Sequence, residues 1–297
     1  MKRKQLQPVT FDRVRQRITE LTPLPIIDSF AEDVLQLLDE PTTTTTNLIR
    51  VVETNPVLAL QVLKLANSSV YAFPKKIKTL EFAFSILGFD IVKELIIVTI
   101  LSSHFSNKQK QTREIEALWQ HSFSTAIVSK RIAREIGYPV IGEAFSAGLL
   151  HDIGVAFLLQ EFSEEFHKAI SEIEKKKMSL FAFEQQEQLQ YSHSEIGGLL
   201  SEKWNLPASM TETIRFHHSP MSAPTQQLLT SIINCADVFS QQYAPSSFII
   251  DNSISYEQDA LNLLEHYCEG IVDNFFLNNS SFQEKNIAVL ENVEVDG

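Results

Sequence analysis

The stretch Gly148-Leu149-Leu150-His151-Asp152-Ile153-Gly154 decides how this chain folds and where its chemistry lies. The apolar residues before the His-Asp pair read as the end of a buried helix over about 143–150, with Gly154 as its C-terminal stop. Adjacent side chains on a helix face different ways, so His151 and Asp152 can serve one ion only near a helix end or across a ligand bridge. Here the pair stands at such an end.

Working outward, each flanking segment adds a histidine or carboxylate at an inward helical position. A helix over about 114–136 aligns Leu118, Thr125, Val128 and Ile132 on one stripe, and His121 falls on it. Ser192-His193-Ser194-Glu195 has the capping-box pattern, and the helix it opens carries Ile196, Leu200 and Trp204 on the face of His193. A further helix from about Ser209 sets Met210 and Ile214 one turn apart and ends in His217-His218 before Pro220. Over 226–241, Leu229, Ile233, Ala236 and Ser240 share a face with Asp237.

A single inward histidine is more often a hydrogen-bonded core residue than a ligand, and Asp237 alone could pair with Arg131 or Arg215. The case lies in the conjunction. Separate helices each contribute an imidazole or carboxylate, a donor set suited to one or two divalent ions of iron, manganese or zinc. His121, His151, Asp152, His193, His217, His218 and Asp237 are therefore the candidate metal ligands. His104 reads as helix-end, and His167 and His266 as surface.

Composition limits the function classes. Against 25 Lys and Arg stand 37 Asp and Glu, a formal charge of −12 that repels nucleic-acid phosphates. The basic Met1-Lys2-Arg3-Lys4 is followed by Gln5-Leu6-Gln7-Pro8 instead of an apolar signal core, and no run of about eighteen apolar residues is read along the chain. A cytoplasmic setting, with no membrane and no nucleic-acid partner, is the expectation. Cys235 and Cys268 are too few for a disulfide framework.

Nine glycines in 297 residues, few β-branched alternations and recurrent i, i+3, i+4 apolar spacing predict an all-α chain. In the first half, apolar stretches at about 29–38, 48–53 and 57–67 are punctuated by prolines, and the threonines of 42–46 offer helix caps. Residues 80–87 are closed by Gly88 and followed by an apolar core segment over 91–101. The polar run at 106–113 marks a boundary between lobes. After Pro245, Leu261, Leu264, Val272 and Phe276 give an amphipathic pattern.

His151-Asp152 resembles the doublet of the HD superfamily, whose members include metal-dependent phosphohydrolases and phosphodiesterases. The match extends further. Leu24-Pro25, Asn55-Pro56-Val57-Leu58, Lys64-Leu65-Ala66-Asn67 and Leu87-Gly88 resemble the N-terminal portion of the HDOD family, the HD-related output domain of bacterial signalling proteins. The stretch 148–154, His193-Ser194-Glu195-Ile196-Gly197 and Lys203-Trp204-Asn205-Leu206-Pro207 are similar to its later portion. The resemblance implies two helical lobes, the second an HD-type bundle, with residues 1–108, 109–245 and a C-terminal helical extension over 246–297 as the divisions. It also implies a first metal held by His121, His151, Asp152 and Asp237, and a second by His193, His217 and His218, with Asp152 as the bridge and as the catalytic residue if the protein is active.

Three features separate the chain from the catalytic branches. Ser219-Pro220-Met221 follows the histidine doublet in place of a Gly-Tyr-Pro substrate loop, and Gly137-Tyr138-Pro139 lies upstream in a turn. Val155-Ala156-Phe157 is apolar where many HD enzymes carry a phosphate-neutralising lysine. No Gly-rich phosphate cradle occurs. The expectation is a non-catalytic signal-transduction module that acts through contacts with a signalling protein partner, with any metal as a staple or sensor. The alternative is a metal-dependent phosphohydrolase or phosphodiesterase for a nucleotide or cyclic dinucleotide ligand, with Arg131, Arg215 and Lys203 as candidate phosphate cations.

Overall fold

A computed structural model of the chain describes residues 10–21, 43–53, 77–89, 113–187, 191–204, 206–243 and 255–277, and single positions at 59, 62, 63, 66, 92 and 96. No strand occurs among the described residues. The chain divides into two compact units, Met1–Pro23 with Lys108–Leu277, and Leu24–Asn107 with Asn278–Gly297.

In the smaller unit, α2 (Thr45–Glu53) buries Leu48 and Val52, and α3 (Leu80–Leu87) buries Ala83, Phe84 and Leu87. Within the threonine run, Thr44 is the residue that exchanges hydrogen bonds with Asn47 at the start of α2. Thr79 caps α3 by accepting from Phe82 N–H, and Gly88 at φ 83° ends it, a left-handed position that costs a glycine little. The segment at 29–38 lies outside the described residues, as do most of 57–67 and 91–101. Val62, Ala66, Val92 and Ile96, the described positions there that face inward, are fully buried.

The larger unit is a bundle built on α4 (Arg113–Glu135), whose inward stripe of Leu118, Thr125, Val128 and Ile132 is buried as its period requires. Against it pack α5 (Ile141–Leu150) and α11 (Gln227–Tyr243). Gly148 permits the close α4–α5 approach, since a Cβ there would lie 2.7 Å from Ser129 Oγ and 3.0 Å from Ala126 Cα.

Gly154 is not the helix stop that its position suggests. After the two-residue break at His151-Asp152 the chain turns straight into α6 (Ile153–Glu161), with Gly154 buried in its first turn. A Cβ at Gly154 would stand 1.9 Å from the His193 carbonyl oxygen and 2.9 Å from Gly197 N. The glycine is there for contact between α6 and α9 (His193–Lys203). The helices α7 (Ser163–Lys176) and α8 (Leu180–Gln186) connect them, and α10 (Ala208–Phe216) packs on α9.

Two end segments complete this unit. The first, α1 (Phe11–Glu20), packs on α9. It buries Val14 and Ile18 and pairs Arg13 with Glu165 at 3.3 Å and Arg17 with Glu161. At the other end α12 (Gln258–Tyr267) packs on α11, and the Phe275 and Phe276 rings meet Phe239 tilted and edge-on.

The span 141–161 is long and apolar enough to cross a membrane by length and composition. The His151-Asp152 turn divides it, and 78% of its most apolar window is buried within the protein, as in a pair of core helices.

Candidate metal centre

All seven candidate ligands converge inside the larger unit, and each is 8% exposed or less. Their placement follows from local structure. His121 lies in mid-α4, His151 and Asp152 at the α5–α6 break, and His193 at the first residue of α9. His217 and His218 end α10, and Asp237 lies in mid-α11. Asp152 occupies the N-cap position of α6, yet its side chain caps nothing. A carboxylate that forgoes a cap hydrogen bond is available for another partner.

The donors form two groups that share Asp152. One joins His121, His151 and Asp152; the other joins Asp152, His193, His217 and His218, with the ligating atoms of each group within 4.8 Å of one another. Asp152 Oδ2 lies 3.4 Å from His151 Nε2, whereas Oδ1 lies 3.5 Å from His193 Nε2 and 3.6 Å from His217 Nε2. Asp237 Oδ1 closes the first group, 2.9 Å from His121 Nε2 and 3.6 Å from His151 Nε2. Asp237 thus faces imidazoles, not the Arg131 or Arg215 considered from sequence.

The rings are oriented as ligands. His151 Nδ1 donates to the Gly148 carbonyl at 2.7 Å and His217 Nδ1 to the Ile214 carbonyl at 2.7 Å, contacts that turn Nε2 toward the other donors. His193 Nδ1 faces Glu184 Oε2 at 2.9 Å. The buried Nε2 atoms of His121 and His151 have no aligned hydrogen-bond partner. His193 Nε2 and His218 Nε2 point at each other across 2.9 Å. Imidazole nitrogens converging with two carboxylates in a sealed interior are what a cation requires, so the residues fit a divalent metal.

Electrostatics set His217 and His218 apart from His151. Burial, with the charge on His151, drives His217 down to about 3, and burial with the neighbouring imidazoles drives His218 well below its ordinary value. Both therefore present neutral rings at neutral pH. Burial would lower His151 as well, but Asp152 and Asp237 reverse this and raise it well above its ordinary value. Burial opposes ionisation of the two carboxylates, and the surrounding imidazoles nevertheless hold both far below the usual range.

Three supporting residues had no signal in the sequence pattern. Glu184 is buried and accepts from both the backbone N–H and Nδ1 of His193. Phe181 stacks on His218 at 4.6 Å and 24°. Asn234, one turn before Asp237, donates to the His217 carbonyl. Among the other histidines, His167 is half-buried and 3.6 Å from Glu114, His266 is exposed, and His104 lies outside the described residues.

The candidate phosphate cations are engaged elsewhere. Arg215 pairs with Glu202 at 3.0 Å, Arg131 sits 3.9 Å from Glu135 and over the Phe275 ring, and Lys203 reaches toward the Thr19 carbonyl. Val155, Ala156 and Phe157 are buried beside the doublet.

An all-helical two-unit chain with a buried His-Asp cluster defines an HD-type protein. The chain belongs to the HDOD domain family, whose sequence model matches residues 24–220. Its fold is that of an HDOD domain protein with unknown function from Geobacter sulfurreducens, at 22% identity and a TM-score of 0.76 over 95% of this chain and 97% of that one. A candidate signal transduction protein from Marinobacter aquaeolei aligns at 22% identity with a TM-score of 0.70, over 95% of this chain and 65% of that one. A candidate metal-dependent phosphohydrolase from Shewanella amazonensis aligns at 13% identity with a TM-score of 0.60, over 93% and 95%. An uncharacterized Treponema pallidum protein is 22% identical over 256 residues, 86% of this chain. The chain spans about half the length of that curated relative, 47%.

Proposed function

We propose that this HDOD protein is a metal-binding signalling module that acts through contacts with a partner protein, and that its metal centre is a structural or sensing element instead of a hydrolytic one. The observation that carries the reading is enclosure. All seven candidate ligands are 8% exposed or less, and the wall that follows the His-Asp pair is apolar. A dianionic phosphate has little to attract it to such a wall in a protein of net charge −12.

His121, His151, Asp152 and Asp237 would hold a first ion and His193, His217 and His218 a second, with Asp152 between them. Two imidazoles with two carboxylates in the first set, and three imidazoles with the shared carboxylate in the second, suit a borderline transition metal such as iron, manganese or zinc better than magnesium. Such an ion supplies Lewis acidity and, above all, a cross-link. The chain's own contribution is to join α4, the α5–α6 break, α9, α10 and α11 at one point, so occupancy stiffens the unit that a partner would meet. The reading includes a bacterial cytoplasmic setting, in keeping with two unpaired cysteines, one of them buried.

One observation favours a second reading, a metal-dependent phosphohydrolase for a nucleotide or cyclic dinucleotide. Asp152 offers one oxygen to each donor group, as a bridging ligand of a two-metal hydrolase would. Elemental analysis of protein purified without added metal, paired with a phosphodiester screen in Mn²⁺ or Fe²⁺, separates the two. The signalling reading expects bound transition metal and no enzymatic turnover. Robust metal-dependent hydrolysis that vanishes in Asp152→Ala would select the hydrolase.

A further inference from the structure

The short helix α8 lies outside every motif discussed above, yet two of its side chains touch the second donor group. Glu184, 3% exposed, accepts the His193 backbone N–H through Oε1 and faces His193 Nδ1 through Oε2, each at 2.9 Å. Three residues earlier on the same face, Phe181 lies flat against the His218 ring. Ser179 caps the helix by accepting from Ala182 N–H, and Leu180 and Phe183 anchor it in the core.

We infer that α8 is a positioning clamp for the second donor group, with Glu184 setting the tautomer and rotation of His193 and Phe181 fixing the plane of His218. A carboxylate on Nδ1 keeps the proton there and directs the Nε2 lone pair inward. Its second oxygen ties the first residue of α9 to the same carboxylate, so backbone and ring are fixed together. A buried carboxylate is retained at such a place because both oxygens have donors. The first donor group, on α4, the α5–α6 break and α11, receives no contact from Glu184 or Phe181 among those described.

This inference rests on the metal reading above, and its test keeps the two apart. Wild type, Glu184→Gln, Glu184→Ala and Phe181→Leu are titrated with Co²⁺ and followed by visible absorption. Imidazole ¹⁵N correlation spectra of the metal-free proteins report the His193 tautomer. Wild type should bind two Co²⁺ and show His193 protonated at Nδ1. Glu184→Ala should weaken one of the two Co²⁺ sites by roughly 10- to 100-fold and leave the other unchanged. Glu184→Gln, with one acceptor oxygen left, should fall between, and Phe181→Leu should alter the spectrum of the same site. If wild type binds no Co²⁺ the metal reading fails, and the tautomer decides the clamp. The clamp is overturned if His193 carries its proton on Nε2 in the metal-free wild type, if both Glu184 variants bind two Co²⁺ like wild type, or if both sites weaken equally. Should Glu184→Ala fail to fold, Glu184→Gln carries the same comparison.

Discussion

Asn234 donates its side-chain N–H to the main-chain carbonyl of His217 at 2.8 Å, tying α11 to the end of α10 one turn from Asp237. The bond is buried, so its loss leaves a carbonyl without a partner. Asn234→Ala is expected to destabilise the protein by about 1–3 kcal/mol in urea unfolding. An unchanged midpoint would show that the His217 carbonyl finds another donor.

The two donor groups make a pattern of metal loss predictable. His121→Ala should remove one equivalent of bound metal and His193→Ala the other, while Asp152→Ala should deplete both, because only Asp152 serves the two groups. Elemental analysis after dialysis reads this directly. Identical losses from all three substitutions would argue for a single ion.

Gly154→Ala and Gly137→Ala separate close contact from backbone strain. At Gly154 the new methyl meets the His193 carbonyl and the Gly197 nitrogen, main-chain atoms that cannot swing aside. At Gly137, φ 70°, nothing lies within 4 Å and only left-handed strain is added. We expect about 3 kcal/mol or more for Gly154→Ala and about 1–2 kcal/mol for Gly137→Ala. Equal urea midpoints would contradict the α6–α9 contact described here.

Glu212 fastens the loop before α11, accepting from Thr225 N–H, Thr225 Oγ1 and Gln226 N–H. Partial burial disfavours its charge, but these donors prevail and hold its pKa below the ordinary 4.5. Because the folded value is the lower one, the carboxylate stabilises the fold above about pH 4.5, and the contribution is lost as pH falls through the folded value. Glu212→Gln should cost about 1 kcal/mol at pH 7, a figure that allows for solvent screening, and progressively less as pH falls below the ordinary 4.5. A cost independent of pH in denaturant titrations would rule out this origin.

Docking of α1 sets buried apolar area against exposed ion pairs. Arg17 pairs with Glu20 and Glu161 while itself about half exposed, so Arg17→Ala should cost roughly 0.2–1 kcal/mol and less in high salt. Ile18 is 6% exposed, and Ile18→Ala should cost about 2–4 kcal/mol and speed proteolysis within α1. The reverse order would mean that charge holds the helix in place.

Much of the larger unit was legible because its helices are amphipathic. The 3.6-residue period turns His121, His193 and Asp237 inward with their apolar neighbours, and a helix buries its stripe whatever lies opposite. The cap at Ser192 was equally local, its side chain accepting from Glu195 N–H. Gly154 was misread because a glycine after an apolar run looks the same whether it ends a helix or admits a neighbouring one. Which applies depends on His193, 39 positions away in the chain. Glu184 was missed for a related reason, since a lone glutamate beside Gln185 and Gln186 resembles a solvated helix face.

Sequence by itself determined the all-helical fold class, the inward direction of the histidines and aspartates, and the membership of the candidate metal set, because each follows from spacing within a single helix. Tertiary structure alone decided that Asp152 divides its oxygens between two groups, that Asp237 answers imidazoles instead of an arginine, that α1 joins the second-half helices, and that α8 grips His193 and His218. Those are contacts between residues tens of positions apart, and short-range periodicity carries no information about which buried faces meet.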